Sequence, residues 1–167
     1  MDILAIVLRI IHIVSGVFWV GGAALFFFYL EPAITKLGPD AEKFVDEVIN
    51  RRKAPIYFAT FSTLTVLAGV ILYWRDFGGI NTSPTGLAFG VGGLAAIIAW
   101  LGGNLLIPRT LGQLSAIGAE IKAAGGPPSD TLMARMHATQ ERLRLIGLVD
   151  IILLVFAVAA MASARYL

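Results

Sequence analysis

A bundle of four membrane-spanning helices is the fold this sequence predicts, and three observations predict it. The chain has 167 residues, 57% of them hydrophobic and only 14% charged, whereas soluble domains carry about 25% charged residues. Four apolar stretches, 3–30, 55–74, 86–107 and 145–165, each reach the roughly 20 residues that cross a hydrocarbon layer. The basic residues also sort by loop. Lys36, Lys43, Arg51, Arg52 and Lys53 follow the first stretch, and Arg109, Lys122, Arg135, Arg142 and Arg144 separate the third from the fourth. Only Arg75 lies between the second and third, and only Arg165 follows the last. Positive loops stay in the cytoplasm, so both termini are expected outside, and residues 1–167 read as one membrane domain. The pI near 9.2 is then a topology signal and implies no nucleic-acid partner. The lipid bilayer is the first partner expected.

The elements follow in order. The first stretch is too long for a cleaved signal peptide, starts with Asp2 in place of a basic segment, and has no small-residue cleavage site. Glu31-Pro32 is predicted to end its helix, because proline disfavours helix in the residue before it. Gly38-Pro39-Asp40 reads as a turn, with Asp40 capping a short amphipathic helix from Ala41 to Arg52. Pro55 suits a first helical turn. Residues 76–85 form a tight loop rich in Gly, Asn, Ser and Pro. Pro108 is expected to close the third span, and 111–124 to form an inner-face helix. Ser129 or Asp130 then caps a last helix running to Arg165, about 50 Å long at 1.5 Å per residue, so its first third stands out of the bilayer. The sequence shows no convincing internal repeat. Tyr73, Trp74 and Tyr166 suggest an outer aromatic belt, and Tyr57 the inner interface.

Interior seams are expected along Gly86, Gly90, Gly93, Ile97, Trp100 and Asn104 of the third span, and along Leu143, Gly147, Asp150, Leu154, Ala157, Met161 and Ala164 of the fourth. Both alternate three and four residues, as left-handed packing requires. Their small residues let membrane helices approach closely.

Two polar sites stand out. In the first span, Arg9, His12, Gly16, Trp19, Ala23 and Phe26 make one helical stripe. An ionisable residue at membrane depth is a functional-site hypothesis by default. His12 lies roughly 13 Å in from the helix start. A neutral imidazole is a common ligand for haem iron. Arg9 is placed to pair with propionates, Gly16 leaves room for a ring face, and Trp19 offers an edge to stack on. Met161, roughly 7 Å nearer the surface, is the in-chain candidate for the second axial ligand. A five-coordinate haem or a His12 pair across a homodimer are the other arrangements. A structural role for His12, bonded to a helix backbone or to Ser15, competes with all of these. The second site is Asp150 with Asn104 and Thr60. A buried carboxylate must be paired, hydrogen-bonded or protonated, and Arg142 and Arg144 are its nearest cations in sequence. That cluster reads as an interhelical clamp, a proton or cation site, or a carboxylate facing a quinone. His137 and the Met133/Met136 pair fit an amphipathic cytoplasmic helix. With no cysteine, disulfides and thiolate chemistry are excluded.

The segment from Arg9 to Ala33 resembles the first helix of a group of small bacterial membrane proteins. The group includes the copper-resistance protein D domain, the HemJ-type protoporphyrinogen oxidases and uncharacterised four-helix families. The shared elements are a histidine, six further residues, a tryptophan and then Gly-Gly, here His12, Trp19, Gly21 and Gly22. The resemblance implies haem or copper chemistry in the bacterial plasma membrane, with His12 as the residue that carries over. HemJ-type enzymes pair this histidine with a lysine of a later helix, and the three later spans here hold no lysine. Copper handling calls for several His, Met or Cys ligands, against two histidines and four methionines in this chain. The leading expectation is therefore a haem-b-binding redox protein exchanging electrons with a quinone or a partner protein. The alternative is a non-enzymatic accessory subunit, or a small-solute or proton carrier, built on Asp150 and Asn104.

Overall fold

In a computed structural model describing residues 2–167, the side chain of Pro39 apart, the described residues form helices and short connections, with no strand. The helices are α1 (Ile3–Leu25), α2 (Glu31–Leu37), α3 (Glu42–Asp46), α4 (Ala54–Phe77), α5 (Pro84–Leu101), α6 (Ile107–Ala123) and α7 (Asp130–Ser163). Four rods among them are long and apolar enough to cross a membrane: Ile3–Leu37, Ala54–Phe77, Pro84–Ala123 and Asp130–Tyr166. Local chemistry sets their starts. Asp2 accepts a hydrogen bond from the Ala5 amide, Ser83 from Gly86 and Ser129 from Leu132, each satisfying a donor the helix leaves open. Pro55 occupies the first turn of α4, as expected. Gly78, with φ 68°, stops α4 in a left-handed conformation that glycine adopts without steric cost.

Three local expectations fail. Pro32 and Pro108 do not end their helices. A wide turn with i→i+5 hydrogen bonds precedes each, at Phe26–Leu30 and Gly102–Leu106. Proline lacks an N–H, and its ring collides with the carbonyl four residues back in a regular helix. Widening the turn in front of the ring lets the rod continue as α2 in one case and α6 in the other. Asp40 sits in a tight turn of residues 38–41, and α3 begins after Ala41 with no side-chain cap.

The rods run alternately up and down. α1 packs chiefly on α4, and α5 on α7, with lighter contact between these two pairs. Trp19, Ala99 and Leu154 form the buried centre where the pairs meet. Elsewhere the seams are small residues: Ala5 and Ser15 on α1, Ser62, Thr65 and Ala68 on α4, and Gly86, Gly92, Ala95 and Ala99 on α5. On α7 the predicted seam is buried at Asp150, Leu154 and Ala157. On α5 and the turn after it the expected residues Gly90, Trp100 and Asn104 meet α4, whereas the line against α7 runs through Gly92, one residue away from Gly93, which meets nothing. Large apolar side chains such as Ile13, Val17, Leu67, Ile152 and Val155 face outward along the rods. So much outward apolar surface suits a lipid surround.

The two pairs share a feature the sequence did not disclose. Trp19-Val20-Gly21-Gly22 recurs as Trp100-Leu101-Gly102-Gly103; the wide turn comes after the glycines in the first copy and begins with them in the second, and a proline follows in both rods. The spacing from tryptophan to proline is shorter in the second copy, which hides the repeat in a linear comparison. Beyond the apolar spans, α6 and α7 pair at the end carrying the basic loops. There Arg135 bonds Glu120 at 2.9 Å, and Lys122 pairs with Glu42.

Candidate functional site: a histidine and a carboxylate within the bundle

His12 lies on the α1 seam against α4. Its Nδ1 is 2.7 Å from the backbone carbonyl oxygen of Thr65. A carbonyl can only accept, so Nδ1 carries a proton, and in the neutral ring it is Nε2 that holds the lone pair. Gly69, one turn further along α4, makes room for the ring. A Cβ there would fall 2.7 Å from His12 Cε1, a distance no real contact shows. The Thr65 hydroxyl is turned back to the Phe61 carbonyl at 2.7 Å, leaving the Thr65 carbonyl to the imidazole. Nε2 has no hydrogen-bond partner among the described residues, and it is not enclosed either, since the only enclosed side-chain atom without a partner is Asp150 Oδ1. The ring is thus fixed by one nitrogen and opens the other to the margin of the bundle.

The other residues of the predicted stripe do other work. Arg9 is exposed and bonds Asp76 at 3.2 Å, beside a second pair between Asp2 and Arg75. These two pairs tie the start of α1 to the end of α4. Gly16 lines no ring-sized gap, because a Cβ added there would already lie 3.6 and 3.9 Å from the Thr65 side chain. Trp19 is 4% exposed, packed in the core rather than at a cavity edge. Met161 packs over Gly92, its Cγ 3.2 Å from where a Cβ would sit. It therefore belongs to the α5–α7 seam, whereas His12 belongs to the α1–α4 seam. Sequence reasoning missed Thr65 and Gly69. Their signal was the run Ser62, Thr65, Gly69, small residues at helical spacing in the second span.

The second polar set is built differently from the expected one. Asn104, in the wide turn after α5, donates from Nδ2 to Ser62 Oγ at 3.1 Å and to the Trp100 carbonyl at 2.9 Å. Trp100 Nε1 donates to Thr63 Oγ1 at 3.0 Å. Ser62 and Thr63 thus provide the α4 contacts, and Thr60 is exposed. Asp150 is 9% exposed. Its Oδ1 stands near Gly102 and Gly103, 3.8 and 4.0 Å from where their Cβ atoms would lie, and has no hydrogen-bond partner. Arg142 and Arg144 are exposed and make no ion pair with it. No cluster of three or more His, Cys, Asp or Glu side chains capable of holding a metal ion occurs among the described residues.

Two shallow grooves mark the surface. One of about 390 Å³ is lined by Phe28 and by Leu148, Ile151, Ile152, Val155, Phe156 and Ala159 of α7. The other lies between α6 and α7 near Ile117 and Arg135. Neither includes His12 or Asp150. Compared with protein-family models, with curated proteins and with solved structures, the chain matches none.

Proposed function

We propose that this chain is a multi-pass protein of the bacterial plasma membrane, both termini outside, that binds haem b through His12 and passes electrons to or from a quinone or a partner protein. One observation carries the reading. The Nδ1–H of His12 donates to a backbone carbonyl at 2.7 Å, and Nε2 is left unpartnered at the bundle margin. Histidines that ligate metals characteristically donate the other ring N–H to a carbonyl or carboxylate, which fixes tautomer and orientation. An acceptor left without a donor at membrane depth is costly, and a ligand from outside the chain removes that cost.

The fit of a haem to these residues is partial and specific. The imidazole fits as an axial ligand. A porphyrin between α1 and α4 does not fit, because Thr65 fills the space at Gly16. A haem held by His12 would therefore meet the ring from the margin of the α1–α4 pair, where Nε2 is open. Met161 lies on the other seam, so within this chain His12 alone would hold the haem. A second His12, in a homodimer, is the ligand of matching chemistry and depth. Bound there, haem b supplies one-electron iron redox chemistry. The chain's own contribution is to orient the imidazole, through the Nδ1–H bond to the Thr65 carbonyl.

Absorption spectra of detergent-purified protein, oxidised and then dithionite-reduced, test the reading. The expected result is a Soret band with sharp reduced bands, lost in His12→Ala and kept in Met161→Leu, with one haem for each pair of chains. Colourless protein from cells supplied with ample haem would overturn it.

A further inference from the structure

We infer that Asp150 and the Gly102-Gly103 turn form a proton-binding site inside the bundle, reached from the end that carries the basic loops. Asp150 is 9% exposed, and its Oδ1 is the only enclosed side-chain nitrogen or oxygen among the described residues with no hydrogen-bond partner. The Asn104 amide, in the same wide turn, is committed elsewhere. Both hydrogens of the Asn104 amide are used, on Ser62 Oγ and the Trp100 carbonyl. Because the Trp100 carbonyl can only accept, the amide cannot be turned around to serve Asp150.

No charge compensates the carboxylate either. α5 and the wide turn after it contain no ionisable side chain. On α1, Arg9 is paired with Asp76 and His12 with the Thr65 carbonyl. Tyr29, in the turn after α1, is exposed, as is Arg109 on α6. Glu120 and Lys122 on α6 are paired with Arg135 and Glu42. On α7 itself Arg142 and Arg144 are exposed. A carboxylate so placed meets its requirement by taking a proton. A metal ion would need several oxygen ligands, and only one carboxylate is present.

The repeated Gly-Gly step has different neighbours in its two copies. In the first copy the glycine is covered: a Cβ on Gly22 would lie 3.2 Å from both the Phe58 and Tyr57 rings. In the second copy the same step faces only a carboxylate oxygen, at 3.8 and 4.0 Å. One niche is filled with aromatic side chains and the other with a group that exchanges protons. The step is a simple equilibrium, in which water at the basic end gives a proton to the Asp150 carboxylate and recovers it, with no other bond changed. Arg144, exposed toward the basic end, is about 9 Å from Asp150 along the axis at 1.5 Å per residue.

Infrared spectra of the protein in lipid nanodiscs, recorded across a pH series, test this. A carboxylic-acid stretch should appear in the wild type, shift in D₂O, fade reversibly as pH rises and be absent from Asp150→Asn. Uniform ¹³C-aspartate labelling should move the same band with no substitution, which keeps the test valid if that variant fails to fold. The other five aspartates, Asp2, Asp40, Asp46, Asp76 and Asp130, are exposed. An unchanged spectrum in folded Asp150→Asn, or no label-sensitive band, overturns the inference. A band constant across the series also overturns it, since a permanently neutral acid is a clamp and not a site. Gly102→Leu should fill the niche and shift the pH midpoint.

Discussion

At the scale of single residues, His12 is held by two features that act together, a carbonyl that orients it and a glycine that admits it. Gly69→Ala should cost about 1–3 kcal/mol, the usual penalty for overpacking, because the new methyl meets Cε1 at 2.7 Å. Thermal unfolding in detergent measures that cost, and a haem spectrum on the same sample reports whether the imidazole has moved. Arg9 offers a contrast. Its pair with Asp76 is exposed on both sides, and such pairs contribute about 0–1 kcal/mol. Arg9→Ala should leave the melting temperature nearly unchanged and retain any haem; loss of haem with unchanged stability would restore the propionate role. The sequence made His12 and Asp150 legible because ionisable groups are rare in apolar stretches. Thr65 and Gly69 were visible only as small residues at helical spacing, which marks a close-packed face but does not say that an imidazole lies against it.

At the scale of elements, the seam of α7 could be read ahead because Asp150, Leu154 and Ala157 are flanked by large outward residues. The line of α5 that meets α7 was misplaced by one position. Glycines at 90, 92 and 93 occupy more than one face, and small residues on several faces blur the period. Prolines 32 and 108 misled for a different reason. The rule that proline stops a helix assumes a regular turn before it, and both turns here are wide. The turn after α5 is secured by Asn104. Interhelical hydrogen bonds within membranes average about 0.6 kcal/mol and reach about 1.7. Asn104→Ala should therefore destabilise the bundle within that range, and a double-mutant cycle with Ser62→Ala should recover most of the loss as coupling. Strict additivity of the two changes would sever the proposed link between α4 and α5.

At the scale of the whole molecule, the chain is two helix pairs with heavier packing inside each than between them. The loop joining them passes through Ile80, which is 97% exposed. Chains cut there and co-expressed as residues 1–79 and 80–167 should associate and purify together, since each half retains its main interface. Recovery of one half alone would show that the Trp19, Ala99 and Leu154 contact cannot hold the pairs without the covalent link. Composition and loop charge sufficed to anticipate four rods. They could not anticipate the pairing, because small residues line every seam and nothing in their spacing names a partner.

The wide turns have a consequence for how the chain tolerates change in length. A helix turn closed by i→i+5 bonds holds one residue more than a regular turn. Removing one residue from an ordinary stretch rotates everything beyond it by about 100°, at 3.6 residues per turn, and would turn a seam toward lipid. Removing one from Gly102–Leu106 only converts the surplus turn to a regular one, and α6 keeps its facing toward α7. These turns are thus the places along the rods where the chain can be shortened by a single residue without losing register, provided the proline that follows is replaced at the same time.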